Sequence, residues 1–228
     1  MTERLSLRWP DPVPFVSVGG RPIRILAVSD EPDDSIDSAV TRERIGAVDL
    51  IIGAGDLEPD YLSFVADAFH APLRYIRGNH DVGPAWSHTR RALLPEPMRD
   101  GRVVDEGGLP LVGFSGSPIY KDEGMQVSAI GMWAKVIGSW SAAQRARPVI
   151  VVSHAPPRDL NDDEDLAHRG FTAFRWLADR LGPPLWLHGH TALVRRGLDG
   201  RTARHNDTLF YNCTGATVIE LLPPDADG

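Results

Sequence analysis

Five short runs rich in Ile, Val and Leu, at residues 23–29, 49–55, 73–78, 148–153 and 185–189, each stop abruptly at glycine or serine. Runs that are apolar without alternation suit strands covered on both faces, as in a parallel sheet between other layers. Helical periodicity fills the intervals at residues 35–45, 60–69, 126–147 and 172–181, so strand and helix alternate as in βαβ units. Further runs at 102–105, 110–114, 193–197, 208–212 and 217–222 are separated by turn-like pieces and are expected to pair antiparallel. So many strands exceed what one open sheet conveniently holds. Two stacked sheets with helices outside would cover every apolar face.

A chain of 228 residues with no Ser/Gly-rich linker is expected to form one domain over residues 21–222. Pro10, Pro12 and Pro14 suggest a stiff extended arm over residues 1–20, and residues 223–228 suggest a flexible tail. The net charge of −7 argues against a nucleic-acid or anionic-membrane surface, because no basic stripe is present to release counterions from phosphate. The single cysteine, Cys213, excludes an internal disulfide framework and fits a cytoplasmic location. No apolar stretch approaches the length of a membrane span, and no signal-peptide core is expected at the N-terminus.

The residues that follow the five runs are Asp30, Asp56, Asn79, His154 and His190, and all five can bind a metal. Functional groups gather at the carboxyl ends of strands in open α/β sheets, so the fold alone can bring them together. Gly55, Gly78 and Gly189 precede three of them, where a missing side chain permits a sharp turn. Two carboxylates, an amide and two imidazoles suit one or two divalent ions such as Mn²⁺, Fe²⁺ or Zn²⁺. Taken singly each has a plainer reading, as a helix cap, a turn residue or a hydrogen-bonded histidine. The coincidence of five favours a metal site.

The ordered series SD at 29–30, GD at 55–56, GNHD at 78–81, SHAPP at 153–157 and HGHT at 188–191 resembles the motifs of calcineurin-like metallophosphoesterases. The resemblance implies an α/β fold, a four-layer αββα sandwich of two mixed β-sheets flanked by helices. It also implies two divalent metals and hydrolysis of a small phosphomonoester or phosphodiester by metal-bound water. By that resemblance Asp56 bridges the ions, Asn79, His154 and His190 complete one position, and Asp30 serves the other. His80 would stabilise the transferring group or protonate the leaving oxygen, with Asp81 orienting it. The chain departs from the pattern at Pro32 and Ala192, where the family has histidines, and both belong to the position served by Asp30. Glu31, Asp33, Asp34 or water could replace them. A catalytically inactive binding scaffold on the same fold is the alternative.

Other features have structural and functional readings. Arg77 could touch phosphate or be structurally paired; His188 reads as a satisfied strand-end residue. His168 and Arg169, in the acidic stretch 161–170, could reach over the site as substrate contacts, but a surface loop entering the next helix is the favoured reading. Tyr120 or Lys121 in the loop SGSPIYK could reach a substrate. Ile130, Trp133, Ile137 and Trp140 fall at helical spacing and are expected to form an apolar core face, or else a subunit interface.

Overall fold

The computed structural model describes residues 2–193 and 198–225. In chain order the elements are β1 (Glu3–Arg8), α1 (Val13–Val16), β2 (Ile23–Ser29), α2 (Ala39–Ile45), β3 (Leu50–Gly53), α3 (Pro59–Phe69), β4 (Leu73–Tyr75) and α4 (His88–Arg91). Then come β5 (Val103–Glu106), β6 (Leu109–Phe114), β7 (Ser117–Pro118), β8 (Gln126–Val127), α5 (Ala129–Arg145) and β9 (Ile150–Ser153). The chain continues through α6 (Thr172–Leu181), β10 (Leu185–His188), β11 (Thr202–His205), β12 (Thr208–Asn212) and β13 (Gly215–Leu222).

The strands form a five-stranded sheet of order β1-β13-β2-β3-β4 and a six-stranded sheet of order β11-β12-β10-β9-β6-β5. Side chains alternate across each strand, which sorts them into three apolar clusters. Ile25, Ala27 and Ile52 of the first sheet meet Leu111, Val152 and Leu187 of the second in the cluster between the sheets. Leu26, Val28 and Ile51 face outward onto Leu62 and Val65 of α3. Val151 and Trp186 face the other way, onto Met132 and Val136 of α5 and Phe174 and Leu177 of α6. Helices, sheet, sheet and helices therefore stack as the expected αββα sandwich.

Several expectations change in detail. Residues 3–8 are a strand rather than part of an extended arm, paired parallel to β13. Its alternation places Leu5 and Leu7 against the inter-sheet core while Arg4, Ser6 and Arg8 point out. The shorter runs are not simply antiparallel: β5 with β6, β11 with β12 and β13 with β2 are, but β6 and β12 also pair parallel to β9 and β10. The helix expected over 35–45 is a 3-10 turn, Asp34–Asp37, followed by α2, because the Asp33 carboxylate caps the Ser35 amide at 3.0 Å. The strand expected over 193–197 falls mostly on residues 194–197, outside the described residues, as does part of the expected tail, at 226–228.

The face of α5 also differs from expectation. Met132, Val136, Ser139 and Ala143 are its buried positions, whereas Ile130 and Ile137 are 83% and 60% exposed. Trp133 and Trp140 lie at the margin, both against Trp176 of α6, with ring centroids 5.7 and 5.4 Å away. The inward face of α5 is thus the Met132, Val136, Ser139, Ala143 stripe, and its two tryptophans lie beside that stripe against α6.

Candidate functional site

The carboxyl ends of β2, β3 and β4 in one sheet and of β9 and β10 in the other open on one rim. Immediately beyond these strands Asp30, Asp56 and His190 adopt left-handed backbone conformations, with φ of 58°, 56° and 69°. Such conformations cost on the order of 1–3 kcal/mol each for non-glycine residues and persist where the surroundings over-determine them. Here the surroundings are hydrogen bonds between motifs. The His190 amide donates to both oxygens of Asp30 at 3.0 Å, tying one sheet to the other. The His80 amide donates to Asp56 Oδ1 at 2.7 Å, and the Gly189 amide to the His154 carbonyl at 3.0 Å.

Glycine is required at all three turns for close approach, a Cβ on Gly55 meeting Gly78 N at 2.5 Å, and at Gly55 for its backbone angle as well. Gly55 has a φ of 96°, as a sharp turn needs. Gly78 and Gly189 allow side chains to approach: a Cβ on Gly78 would sit 2.1 Å from Asp56 Oδ1, and one on Gly189 2.1 Å from Asp30 Oδ2. The carboxylates rest where those side chains would have been.

One donor atom from each of Asp56, His154 and His190 lies within 4.8 Å of the others. Asn79 joins them, since its Oδ1 is 2.9 Å from His154 Nε2, while Asp56 Oδ2 is 3.3 Å from the same nitrogen. The tautomers follow from carbonyl partners. His154 Nδ1–H donates to the Ala54 carbonyl at 2.9 Å, leaving Nε2 to face Asp56 and Asn79. His190 Nε2–H donates to the Ala167 carbonyl at 2.6 Å, which leaves the Nδ1 lone pair free to bind. A histidine whose other ring nitrogen is fixed by a carbonyl or carboxylate is oriented as metal ligands are.

The electrostatics agree with a donor set suited to a cation. Burial opposes charge on His154, yet the adjacent Asp56 carboxylate, its hydrogen bond and Asp30 hold the imidazole protonated, with the pKa pushed up to about 9. The positive charge that the carboxylates call for is thus carried by a proton on Nε2, between Asp56 and Asn79. Burial and the charge on His154 push His190 down to about 3. Burial also opposes ionisation of Asp56, but His154 outweighs it and brings the carboxyl below its usual range. Asp30, with burial dominant, is raised.

Asp30, Asp56, His80 and His190 line one open cavity of about 390 Å³, together with Tyr120 and His168. Asn79 and His154 are fully buried and meet the lining through Tyr120 and Asp56. Asp81 has a different position from the one the motif suggested. It is buried, and its Oδ2 accepts from the Asp56 amide at 3.0 Å and the Gly78 amide at 2.7 Å. No hydrogen bond joins it to the His80 ring among the described residues. It holds the backbone of two motifs, and burial raises its pKa to about 6. Arg77 turns away from the cavity, with its guanidinium 5.0 Å from the Trp86 ring centroid and Nη2 donating to the Asp81 carbonyl.

His188 is buried and donates from Nδ1 to the Gly189 carbonyl at 3.0 Å, in keeping with the satisfied strand-end reading. Tyr120, one of two undistinguished candidates in its loop, accepts from Asn79 Nδ2 at 3.2 Å and enters the cavity wall; Lys121 Nζ lies over its ring, 5.2 Å from the centroid. His168, expected on the surface, is also in that wall. The loop folds back because Arg158 Nη1 and the Gly170 amide both donate to Asp162 Oδ2, at 2.6 and 2.9 Å. Gly170 is the one local sign of that return: a Cβ there would meet the Pro157 backbone at 2.5 Å. Asp33 is engaged as a cap, and Glu31 and Asp34 are exposed.

A family model described as calcineurin-like phosphoesterase matches residues 23–193. No curated protein matches. One solved crystal structure, 12% identical, superposes with a TM-score of 0.60 over 87% of this chain and 95% of its own. TT1561 of Thermus thermophilus, 15% identical, gives 0.57 over 85% of this chain and 90% of its own. GAP50, the anchor in the inner membrane complex of Plasmodium, reaches only 0.45 at 13% identity, over 85% and 72%. The first two likenesses concern the fold alone. Among the described residues no helix is long and apolar enough to cross a membrane.

Proposed function

The chain belongs to the calcineurin-like phosphoesterase family, and from that premise we propose that it hydrolyses a small phosphomonoester or phosphodiester with divalent metal ions. The observation that carries this reading is the convergence of Asp56, His154 and His190 donor atoms within 4.8 Å, with Asn79 beside them. Asp56, Asn79, His154 and His190 would hold one ion, and Asp56 with Asp30 would offer a second, weaker position, where Pro32 and Ala192 supply no imidazole. The mixed nitrogen and oxygen donors suit Mn²⁺, Fe²⁺ or Zn²⁺. When bound, such ions supply Lewis-acid charge and an activated water.

The chain's own groups do the rest. His80 is exposed in the cavity wall, and the bond from its amide to Asp56 fixes its backbone, so its ring is free to meet a phosphoryl or leaving-group oxygen. Asp81 acts at one remove, by clamping the amides of Asp56 and Gly78. The Tyr120 hydroxyl, bonded to Asn79, sits where it can contact the substrate and keep the amide turned toward His154. Asp30 and Asp56 make the cavity negative without cations, so attraction of phosphate despite the net charge of −7 requires that they be bound. A reducing cytoplasm is the setting that fits the lone, buried Cys213.

The test is metal content of the purified protein, followed by hydrolysis of p-nitrophenyl phosphate and bis-p-nitrophenyl phosphate with Mn²⁺ added. Turnover should be abolished by chelation and fall at least ~100-fold in His154→Ala. Absence of turnover with every divalent ion, together with metal content unchanged by His154→Ala, would instead identify a binding scaffold.

A further inference from the structure

We propose that the outward side of α5 is a docking face for a second copy of this chain, the two α5 helices packing antiparallel about a two-fold axis. The inference is independent of the metal-site reading, and either can fail without the other.

Met132, Val136, Ser139 and Ala143 turn inward. At 3.6 residues per turn, the opposite side of the helix runs through Ile130, Ala134, Ile137 and Ser141, and all four are exposed. Their steps of four, three and four residues keep them in one seam. Ile130 and Ile137 are among the most exposed large apolar side chains of the described residues. A single exposed isoleucine is ordinary; two of them, two turns apart on a face without charge, are not. From Ala129 to Gln144 the one charged side chain is Lys135, which is turned to an ion pair with Asp100. Trp133 and Trp140 lie beside the seam, against Trp176.

Two features select a second copy as the occupant and fix its direction. Large and small residues alternate along the seam as Ile, Ala, Ile, Ser. With the two-fold axis between residues 135 and 136, Ile130 lies over Ser141 of the second copy and Ala134 over its Ile137. Every layer then joins one large side chain to one small one. A parallel pair would set isoleucine on isoleucine and alanine on alanine, with gaps at alternate layers.

Charge gives the same direction. Arg145 and Arg147 are exposed at the C-terminal end of α5, and Asp122 and Glu123 are exposed ahead of its N-terminus. None of the four makes an ion pair among the described residues, and Lys121 is turned over the Tyr120 ring. The same two-fold sets Arg145 opposite Gln126 of the second copy. The acidic segment folds around that glutamine: Gln126 Oε1 accepts from the Tyr120 and Lys121 amides at 2.7 and 3.2 Å, and its Nε2 donates to the Lys121 and Glu123 carbonyls. Basic end therefore meets acidic end twice, whereas a parallel pair would set like charges together. Because Tyr120 enters the cavity wall from this same segment, association also steadies that wall. The 17 residues of α5 span about 25 Å, and a helix pair of that length covers less than the roughly 800 Å² per partner of a standard interface. A reversible dimer with a Kd on the order of 10 µM is expected.

Sedimentation velocity of the full chain over about 1–200 µM should show a monomer–dimer equilibrium. Ile137→Asp places a carboxylate in the seam and should weaken association at least about tenfold, with circular dichroism and Tm unchanged because the side chain is exposed in the monomer. Arg145→Glu with Arg147→Glu should weaken it about tenfold at low salt, and adding Asp122→Lys and Glu123→Lys should restore it. Oxidation of a mixture of Ile130→Cys and Ser141→Cys chains should give a disulfide-linked dimer that neither variant forms alone; the native Cys213 is buried and stays out of the reaction. A chain that is monomeric throughout, which would leave the face to a different partner, overturns the proposal. So does a dimer indifferent to Ile137→Asp, or a cysteine variant that links to itself rather than to the other.

Discussion

Gly78→Ala adds one methyl group to a turn, and its consequences can be worked from the contacts it would make. The new Cβ would lie 2.1 Å from Asp56 Oδ1 and 2.6 Å from both Asp56 Cγ and Asp56 N. Comfortable separations are about 3.5 Å, so the carboxylate must retreat by about 1.4 Å. The Asp56 amide cannot retreat with it cheaply, because it is bonded to Asp81 Oδ2 at 3.0 Å. Retreat breaks the 2.7 Å bond from the His80 amide and the contact with His154 Nε2. Overpacking costs about 1–3 kcal/mol, and a lost hydrogen bond to a charged group about 1.5–3 kcal/mol, so a stability loss of about 3–5 kcal/mol is expected. A displacement of about 1 Å at a site of this kind is enough for a ~100-fold functional loss, and metal affinity should fall on that scale. Urea denaturation of the metal-free protein and calorimetric Mn²⁺ titration measure the two effects. Gly138→Ala is the control, since a Cβ there meets nothing within 4 Å on an exposed helix face and should stabilise by up to about 1 kcal/mol. A Gly78→Ala protein with wild-type affinity and a stability change below about 1 kcal/mol would show that the Asp56 carboxylate does not depend on the space at Gly78.

The metal-free protein should be most stable near pH 6.5. His154, raised to about 9, contributes stability that is complete below its unfolded value of 6.5 and is lost as pH rises through 9. His190, lowered to about 3, contributes stability present above 6.5 and lost as pH falls toward 3. Thermal melts should trace this dome, with the alkaline limb flattened in His154→Ala and the acid limb in His190→Ala. Metal binding at pH 7.5 should release about one proton from His154, read as a dependence of calorimetric enthalpy on buffer ionisation enthalpy. Pro32→His with Ala192→His should tighten the second metal equivalent at least about tenfold, as measured by equilibrium dialysis.

The site's ingredients are legible in the sequence because the ends of buried parallel strands are marked twice, by the stop in apolar residues and by the polar residue that follows. The reason for two of the glycines is not. Gly78 and Gly189 read as turn formers, but the atoms they accommodate belong to Asp56 and Asp30, brought there by tertiary folding. Asp81 reads from its motif as a partner of His80, yet bonds the amides of Asp56 and Gly78, because the turn directs its side chain inward. The alternation of ERLSLR is a strand signal, but the prolines that follow it suggest an arm instead. On α5 the large residues 130, 133, 137 and 140 suggest one apolar face, but the stripe through Met132, Val136, Ser139 and Ala143 is the buried one; side-chain size alone does not say which face is inward. For His168 the sequence leaves a surface loop and a reach over the site undecided. Its place in the cavity depends on Asp162, Asp165 and the contact of Gly170 with Pro157, a loop conformation that no periodicity encodes.

The central claim is that Asp56, Asn79, His154 and His190 share a cation. Crystals of the protein grown with Mn²⁺ or Zn²⁺, with data collected above and below the metal edge, test it directly. An anomalous peak is expected at about 2.0–2.2 Å from the Asp56 carboxylate and from one nitrogen of each histidine. Absence of any peak among these four residues, in protein that is saturated with metal in solution, would contradict it.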